Sequence, residues 1–203
     1  MKKAFRIPHC LAALLVAVLV LPVAARTASA AGAKDSLTSI LLVAQDVVSD
    51  PNFGGSIVVV MNNLGPAPVG IVVNRPMPLT VARLFPKLKR LAQVQDKVYF
   101  GGPVEFPTVW YLFRAKTAPA SAIEVCDGVY VSSDEKFLRE LLDRRNPMEG
   151  LRIFLGHAGW APDQLQGEIE GGAWRPRQAD AESIFNAKPV LPWPSGAGSK
   201  PGT

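Results

Sequence analysis

The chain has 203 residues, 48% of them hydrophobic, and a formal net charge of +5, a length that suits one ordinary domain with a sizeable core. Four of the 22 basic residues and none of the 17 acidic ones lie in residues 1–30, so residues 31–203 hold 18 basic and 17 acidic side chains, a net charge of +1. This balance argues against a nucleic-acid-binding protein, because neutralising phosphates takes a clustered excess of Lys and Arg.

The N-terminus has the three parts of a signal peptide. A basic start precedes an apolar run over residues 11–21, and residues 28–30, Ala-Ser-Ala, supply a cleavage site. An uncleaved membrane anchor is the alternative, because the 19 residues between Arg6 and Arg26 approach the length of a membrane helix. We favour cleavage after Ala30, which makes the mature protein periplasmic or secreted and leaves it no stable membrane span.

Both ends of the mature chain are expected to be loose. Residues 31–38 are small and polar and predict a flexible lead, and residues 189–203 are rich in Pro, Gly and Ser and predict a flexible tail. A single folded domain is therefore expected over residues 39–188.

The first half of this domain predicts short strands separated by turns. Strands are expected over residues 40–44, 56–61 and 69–73, and their continuous apolar runs are typical of strands covered on both faces. The next pattern is helical, although Pro86 limits its regularity, and three leucines fall on one side of it: Leu84, Leu88 and Leu91.

A second group of strands is expected over residues 98–100, 109–113, 123–126 and 129–132. The Asp127-Gly128 pair between the last two predicts a hairpin, because glycine tolerates the positive φ of a tight turn. The strongest helical pattern follows, with Ser132 and Glu135 as a possible capping box. Its apolar stripe consists of Phe137, Leu138, Leu141 and Leu142.

The last third predicts a strand over residues 151–155, a helix opened by Pro162, a short strand around Trp174 and a helical turn over residues 181–185. The whole pattern has many strands, three or four helices and little regular βαβ alternation. It therefore favours the α+β class in a single domain.

The mature chain is poor in reactive groups, with His157 and Cys126 as its single histidine and cysteine. We expect no metal site, no cofactor and no intramolecular disulfide, because each needs a larger set of ligands or thiols. No nucleotide-binding loop or nucleophile elbow is present, and Gly101-Gly102 is interpreted as a sharp turn that brings backbone close to a neighbour. The basic clusters at residues 87–90 and 144–145 are interpreted as solvated helix ends.

His157 lies between a predicted strand and a predicted helix, where ligands bind in open sheets. It could act as a general base, but a partly buried ring hydrogen-bonded to backbone is the favoured interpretation. Trp160 and Trp174 bracket the helix and are interpreted as its packing anchors. Gly159 is expected to need positive φ or close backbone contact, so that Gly159→Val would be damaging.

Five motifs occur in order between about Leu41 and Phe185. They are Asp50-Pro51-x-Phe53 with Ser56, Gly70-Ile71-Val72-Val73-Asn74-Arg75-Pro76, Gly101-Gly102-Pro103-Val104, Asp127-Gly128-x-Tyr130, and Gly156-x-Ala158-Gly159-Trp160 with Gln164-Leu165 and Glu168. In this combination the sequence resembles the YqgE/AlgH family of bacterial proteins.

The resemblance implies an α+β fold with a bent, barrel-like mixed sheet flanked by three or four helices. It also implies a family described as uncharacterised or as transcriptional regulators, with no established catalytic residues to carry over. Relatives are usually cytoplasmic and lack a signal, so an exported member would not regulate transcription by touching DNA. Relatives also commonly have Tyr at the position of His157, so this histidine is not taken as a family active site.

Three functions remain open, and the favoured one is a non-catalytic module that binds a small ligand or an unknown protein partner. A transcriptional regulator is the alternative, although a net charge of +1 argues against nucleic acid as a partner. The third is a hydrolase that uses His157 with Asp127, Asp163 or Glu168. No catalytic or metal-binding residue is assigned, and the candidate ligand-binding residues are Asn74, Gly101, Gly102, Pro103, His157, Gly159 and Trp160.

Overall fold

The computed structural model describes residues 39–61, 64, 66–126 and 128–190. The ten strands are β1 (Ser39–Ala44), β2 (Ile57–Met61), β3 (Val69–Val72), β4 (Pro76–Thr80), β5 (Lys97–Phe100), β6 (Val104–Arg114), β7 (Ile123–Cys126), β8 (Val129–Ser132), β9 (Leu151–Gly159) and β10 (Trp174–Gln178). The four α-helices are α1 (Val81–Leu84), α2 (Glu135–Leu142), α3 (Gln164–Glu170) and α4 (Ala181–Phe185), and a 3₁₀ helix covers Lys89–Leu91.

The strands form one curled sheet in the order β10-β1-β2-β3-β9-β6-β8-β7, with β5 beside β9 and β4 beside β5. The β5–β9 pairing is parallel and the others are antiparallel, so the sheet is mixed. Four helices accompany this half-barrel, and the predicted α+β class, bent sheet and single domain are confirmed.

Strand β9 joins the two halves of the sheet. On one edge its residues 151–157 pair with β6, and on the other Phe154 and Leu155 pair with β5 before Ala158 and Gly159 pair with β3. Gly156 and His157 therefore lie where the partner on that second edge changes from β5 to β3.

Three apolar clusters pack against the sheet. The first fills the inside of the curl and includes Leu41, Ile71, Leu112 and Phe154, together with Ile184 from α4. The second lies between the outer face of the sheet and the helices α1 and α2, and the third lies between β1–β3 and α3. Each fully buried Leu, Ile or Phe stabilises the fold by about 1.5–3 kcal/mol relative to exposure, so these clusters supply most of the driving force.

Helix α2 confirms the strongest helical pattern but begins at a different cap. Leu138, Leu141 and Leu142 are buried against the sheet. The N-cap is Asp134, whose Oδ1 accepts a hydrogen bond from the backbone N–H of Phe137 at 2.6 Å. The predicted capping box of Ser132 and Glu135 is wrong, because Ser132 ends β8 and its hydroxyl accepts from the Asp134 N–H instead.

The predicted helix that included Leu84, Leu88 and Leu91 is two short pieces rather than one. Helix α1 ends at Leu84, two residues before Pro86, and the 3₁₀ helix follows at Lys89–Leu91. Proline lacks the backbone donor that a continuous helix needs and its ring clashes with the preceding turn. Only Leu91 of the three leucines is fully buried.

Several predictions concern residues outside those described. These are the signal peptide at residues 1–30, the lead at residues 31–38, Asp127 of the hairpin, and residues 191–203 of the tail. Within the described part, no helix combines the length and the apolar character needed to cross a bilayer.

Candidate functional site

Asn74 is the centre of a hydrogen-bonded junction between three segments. Its side-chain oxygen accepts from the backbone N–H of Ile57 at 2.8 Å, and its amide nitrogen donates to the carbonyls of Gly55 and Lys188 at 3.1 and 3.2 Å. The side chain is buried, with 2% of its surface exposed. These bonds fix the start of β2 and the segment after α4 against the end of β3.

Arg75 continues this junction and was not singled out by the sequence analysis except as part of a motif. Its Nε donates to the Ser56 hydroxyl at 2.8 Å and one terminal nitrogen donates to the Gly54 carbonyl at 2.6 Å. Burial lowers the pKa of Arg75 and the nearby Asp50 carboxylate opposes that effect. The sequence did contain a signal for this role, because Arg75 follows an apolar strand closely. A charged residue in such a place is buried only when it is paired or hydrogen-bonded.

Gly101 and Gly102 pass directly over the backbone of β9. A Cβ on Gly101 would lie 2.2 Å from the carbonyl oxygen of Gly156, and one on Gly102 would lie 2.2 Å from the carbonyl carbon of His157. Gly156 has φ +69° and could not carry a side chain either, because its Cβ would lie 2.2 Å from the Gly102 oxygen. The interpretation of the glycine pair as a close backbone approach is confirmed.

Trp160 and Trp174 form a clamp around Glu168. Both indole N–H groups donate to the same carboxylate oxygen, at 2.9 and 2.8 Å, and Gln164 donates to the other oxygen at 2.8 Å. The two indole rings meet edge to face with centroids 6.3 Å apart. The interpretation of the two tryptophans as packing anchors of α3 is confirmed.

The clamp holds Glu168 in its charged form. Burial raises the pKa of this carboxyl, but the hydrogen bonds from Trp174, Gln164 and Trp160 together outweigh burial and hold the pKa below its ordinary value. Gly70 makes room for the clamp, since a Cβ there would lie 2.8 Å from the Trp160 ring.

His157 lies inside β9, so its expected position between a strand and a helix is wrong. The strand continues to Gly159 because Val104 pairs with His157 on one edge and Val69 and Gly70 pair with the next residues on the other. The His157 side chain is 11% exposed, and its ring meets Trp110 edge to face at 5.7 Å between centroids.

The favoured interpretation of His157, a ring hydrogen-bonded to backbone, fails at one of its two nitrogens. The Nδ1 atom is buried without a hydrogen-bond partner in the described part of the chain, and the same holds for Nε1 of Trp110. The Glu105 carboxylate lies 3.9 Å from Nδ1, beyond hydrogen-bonding distance. Burial lowers the pKa of His157, and Glu105 opposes that effect only in part.

Position 159 meets neither of the two conditions, positive φ and close backbone contact, for which the sequence suggested that it must be glycine. Its φ is not positive, and a Cβ would meet only the Val104 side chain, at an ordinary contact distance of 3.8 Å. The position that needs glycine is Gly156, three residues earlier. Neither reason for expecting Gly159→Val to be damaging therefore holds.

The predicted binding residues fall into two groups. Gly101, Gly102, Pro103 and His157 lie together, because the glycines cross β9 at His157 and Val104 pairs with it. Trp160 packs on the outer face of β1–β3 with the third apolar cluster, opposite the face that His157 shares with Trp110. Asn74 is engaged by its own chain, and Gly159 is exposed between the two groups.

The AlgH-like family model, DUF179, matches residues 41–200. The chain belongs to the AlgH-like family. A UPF0301 protein of Anaeromyxobacter dehalogenans strain 2CP-C is 35% identical over 162 residues, which cover 75% of this chain and 82% of that protein. A UPF0301 protein of Myxococcus xanthus is 34% identical over 156 residues, which cover 75% of this chain and 84% of that protein.

Two solved structures share the AlgH-like fold. The solution structure of the AlgH protein from Pseudomonas aeruginosa matches with a TM-score of 0.61 and 25% identity, over 78% of this chain and 85% of that one. A crystal structure of a protein from Corynebacterium diphtheriae matches with a TM-score of 0.58 and 22% identity, over 72% of this chain and 78% of that one. The resemblance drawn from the five motifs is thereby confirmed.

The motifs of this AlgH-like chain mainly stabilise the fold. The second motif supplies Asn74 and Arg75 for the junction, and the fifth supplies Trp160 and Glu168 for the clamp. Among the described residues, no group of three His, Cys, Asp or Glu side chains is arranged to hold a metal ion. Trp110 was missed because its interior position depends on the register of β6 against β9, which sequence periodicity does not supply.

Proposed function

We propose that this AlgH-like protein is a non-catalytic binding protein whose ligand group pairs with His157 and Trp110. The observation that carries the proposal is the pair of buried ring nitrogens, His157 Nδ1 and Trp110 Nε1, which lack hydrogen-bond partners within the described residues. A buried polar atom without a partner costs roughly 1–3 kcal/mol, so two side by side favour a group that satisfies both.

The chemistry of the pair limits what it can bind. The indole N–H of Trp110 only donates, and a neutral imidazole can accept at Nδ1. His157 is neutral at pH 7, because burial lowers its pKa from an ordinary value that is already 6.5. A group that carries one acceptor and one donor, such as a carboxamide, satisfies both nitrogens at once.

The same surroundings favour binding over hydrolysis. A histidine base acts on a nucleophile within hydrogen-bonding reach and is oriented by a third group. Glu105 lies too far from Nδ1 for that role and is 64% exposed, and Glu168 is held by the tryptophan clamp on the other face of the sheet. Asp163 is exposed at the N-cap of α3, and Asp127 lies outside the described residues, so the hydrolase remains a prediction with no geometric partner for His157 among those described.

The segment beside His157 gives a route to the buried nitrogens. Glu105 has φ +51°, an unusual conformation for a residue with a side chain, and Val104 is a large apolar side chain with 39% of its surface exposed. Strained backbone of this kind clusters at ligand clamps. A shift of this segment away from β9 opens the site, and Val104 supplies an apolar contact at its rim.

The role outside the cytoplasm also belongs to this proposal. Export through residues 1–30 places the ligand group in the periplasm or the medium and removes direct contact with DNA. The regulator alternative remains a prediction based on the family label.

The test is NMR of the full-length chain with its tryptophans labelled at Nε1, titrated with acetamide as the carboxamide probe. We expect the Trp110 indole signal to move in a saturable way, and His157→Phe to abolish the movement because it removes Nδ1. The indole signals of Trp160 and Trp174 serve as internal controls, since both already donate to Glu168.

Two results would overturn the proposal. One is a Trp110 signal that does not respond to acetamide while the fold is intact by its other indole signals. The other is turnover of a small ester or amide panel that His157→Phe lowers by the roughly 10²–10⁴-fold typical of a lost general base.

A further inference from the structure

A second surface of the molecule gathers positive charge away from His157. It is an open groove of about 870 Å³ at the C-terminal end of β6, whereas Val104 at the other end of β6 pairs with His157. Along β9 the residues paired with the two ends of β6, His157 and Leu151, are six positions apart, so the two places lie roughly 20 Å apart at about 3.3 Å per residue. The lining residues are Arg114, Ala115, Lys116, Gly128, Arg144, Arg145, Asn146, Glu149 and Gly150.

We call this surface the basic groove, because four of its described side chains are cations and one is a carboxylate. The cations are Arg114, Lys116, Arg144 and Arg145, and all four are exposed. The carboxylate of Glu149 already accepts a hydrogen bond from Asn146 at 3.2 Å. Residues 31–203 as a whole carry a net charge of only +1, so the positive charge of the basic groove is a local concentration.

These cations are not neutralised by described acidic side chains. Other arginines among the described residues do form ion pairs: Arg90 with Asp143, and Arg139 with Glu135. No such pair within the described residues involves the cations of the basic groove. Like charges gathered in one groove repel one another, so an anion bound there relieves that repulsion.

Contacts within the chain hold the Arg114 side chain in position without a ligand. Its guanidinium lies 5.0 Å above the centre of the Phe185 ring and donates to the Ala181 carbonyl at 3.4 Å. Its aliphatic stem packs over Gly150, where a Cβ would lie 3.2 Å from it. A fixed guanidinium loses less freedom on binding than a mobile one, and its planar fork matches the oxygens of a phosphate.

We propose that the basic groove binds a ligand that carries several phosphate groups in a row. Four cations in the lining of one open groove match the charge of several phosphate groups better than that of a single small anion, and arginine prefers phosphate and carboxylate oxygens. None of the described lining residues is aromatic, so the groove offers no platform on which unpaired bases stack. The ligand is therefore recognised by its phosphates, and this site is independent of the His157 site.

The test is calorimetric titration of the full-length chain with tripolyphosphate. The variant is Arg144→Ala with Arg145→Ala, both exposed residues after α2. We expect the dissociation constant to rise about tenfold or more, because a hydrogen bond to a charged group contributes roughly 1.5–3 kcal/mol. The affinity should also fall as salt rises, since screening weakens exposed charge pairs.

The matched control removes two arginines from another place. Arg175→Ala with Arg177→Ala takes the same charge from β10, where both side chains are exposed on the edge strand. We expect tripolyphosphate binding to stay within about twofold of the unchanged chain, with both double variants melting like that chain. Equal weakening by the two double variants would overturn the proposal, because it would show a general effect of net charge.

Two further measurements separate the phosphate ligand from other polyanions. A single-stranded oligonucleotide and vesicles containing anionic phospholipid are titrated at the same salt concentration. We expect weaker binding per phosphate than for tripolyphosphate, since the described lining has no aromatic ring on which bases stack. Tighter binding of either one that depends on Arg144 and Arg145, or the absence of any tripolyphosphate binding, would overturn the proposal.

Discussion

The tryptophan clamp and the His157 site use the same kinds of side chain with opposite outcomes. In the clamp, the indole N–H groups of Trp160 and Trp174 and the carboxylate of Glu168 satisfy one another. In the His157 site, the indole of Trp110 and the imidazole of His157 touch edge to face, and each has a buried nitrogen without a described partner. The two lie on opposite faces of the sheet near the end of β9, since His157 is within that strand and Trp160 directly follows it.

This contrast separates polar groups that stabilise the fold from polar groups that can still bind a ligand. Matched polar groups stabilise a fold, and partly satisfied ones stay available to a ligand at a cost in stability. The AlgH-like motifs that look most functional, the Trp160 segment and Glu168, are therefore structural. The residues with unmet hydrogen bonds include Trp110, which belongs to none of the motifs.

The largest effect is expected at the backbone crossing that sets the position of His157. Gly156→Val should destabilise the protein by more than about 3 kcal/mol, because it combines positive φ with a Cβ 2.2 Å from the Gly102 oxygen. Gly159→Val at the end of the same strand should change stability by less than about 1 kcal/mol, because a Cβ there meets only the Val104 side chain at 3.8 Å. Urea denaturation of both variants measures the two losses of stability. Equal losses would mean that the close approach of the Gly102 and Gly156 backbones is not what requires glycine at position 156.

An intermediate effect is expected from changing one tryptophan in each region. Trp174→Phe removes a donor to the charged Glu168 and should cost about 1–3 kcal/mol beyond the loss of ring size. Trp110→Phe removes a donor that has no described partner, so it should cost at least about 1 kcal/mol less. Thermal unfolding of the pair measures the difference, and a larger loss for Trp110→Phe would contradict the contrast.

The smallest effect is the dependence of stability on pH. The folded pKa of His157 lies below its ordinary value of 6.5, so the unfolded chain binds more protons than the folded one just below that pH. The stabilising contribution is fully present above about pH 6.5 and is lost as the pH falls below it. Denaturation at pH 7.5, 6.5 and 5.5 should show this decline, and His157→Phe should flatten it.

Glu168 gives a second decline at lower pH. Its folded pKa lies below the ordinary value of 4.5, so its contribution is present above that pH and is lost as the pH falls through the folded pKa. The two declines are separable because Glu168→Gln removes only the lower one. A decline near pH 6 that persists in His157→Phe would assign it to another group.

The sequence predicted most elements because their signals are local. Apolar runs such as residues 57–61 form strands buried on both faces, and the predicted turn over residues 181–185 is helix α4. The leucine stripe of α2 points inward as its spacing requires. Its cap was misassigned, since Ser132 and Asp134 are both good capping residues and the end of β8 at Ser132 leaves only Asp134 in position.

The candidate site was less predictable because it depends on which strands become neighbours. Strand β9 was expected to end at Leu155, yet pairing with β3 and β6 extends it to Gly159 and carries His157 into the sheet. The same pairing gives Trp110 its place beside that ring. No spacing within residues 151–160 contains this information, since the partners come from positions about 50 to 90 residues earlier.

Motif order, turn residues and side-chain period are properties of short segments, so the family, the α+β class and the positions of the apolar strands could be predicted without the structure. Which motif residues are structural, and which polar atoms lack partners among the described residues, depends on contacts between segments far apart in the chain. The same holds for the basic groove, whose cations come from the end of β6 and the segment after α2. Hydrogen bonds and charge clusters between distant segments exist only after the sheet has curled and fixed its register.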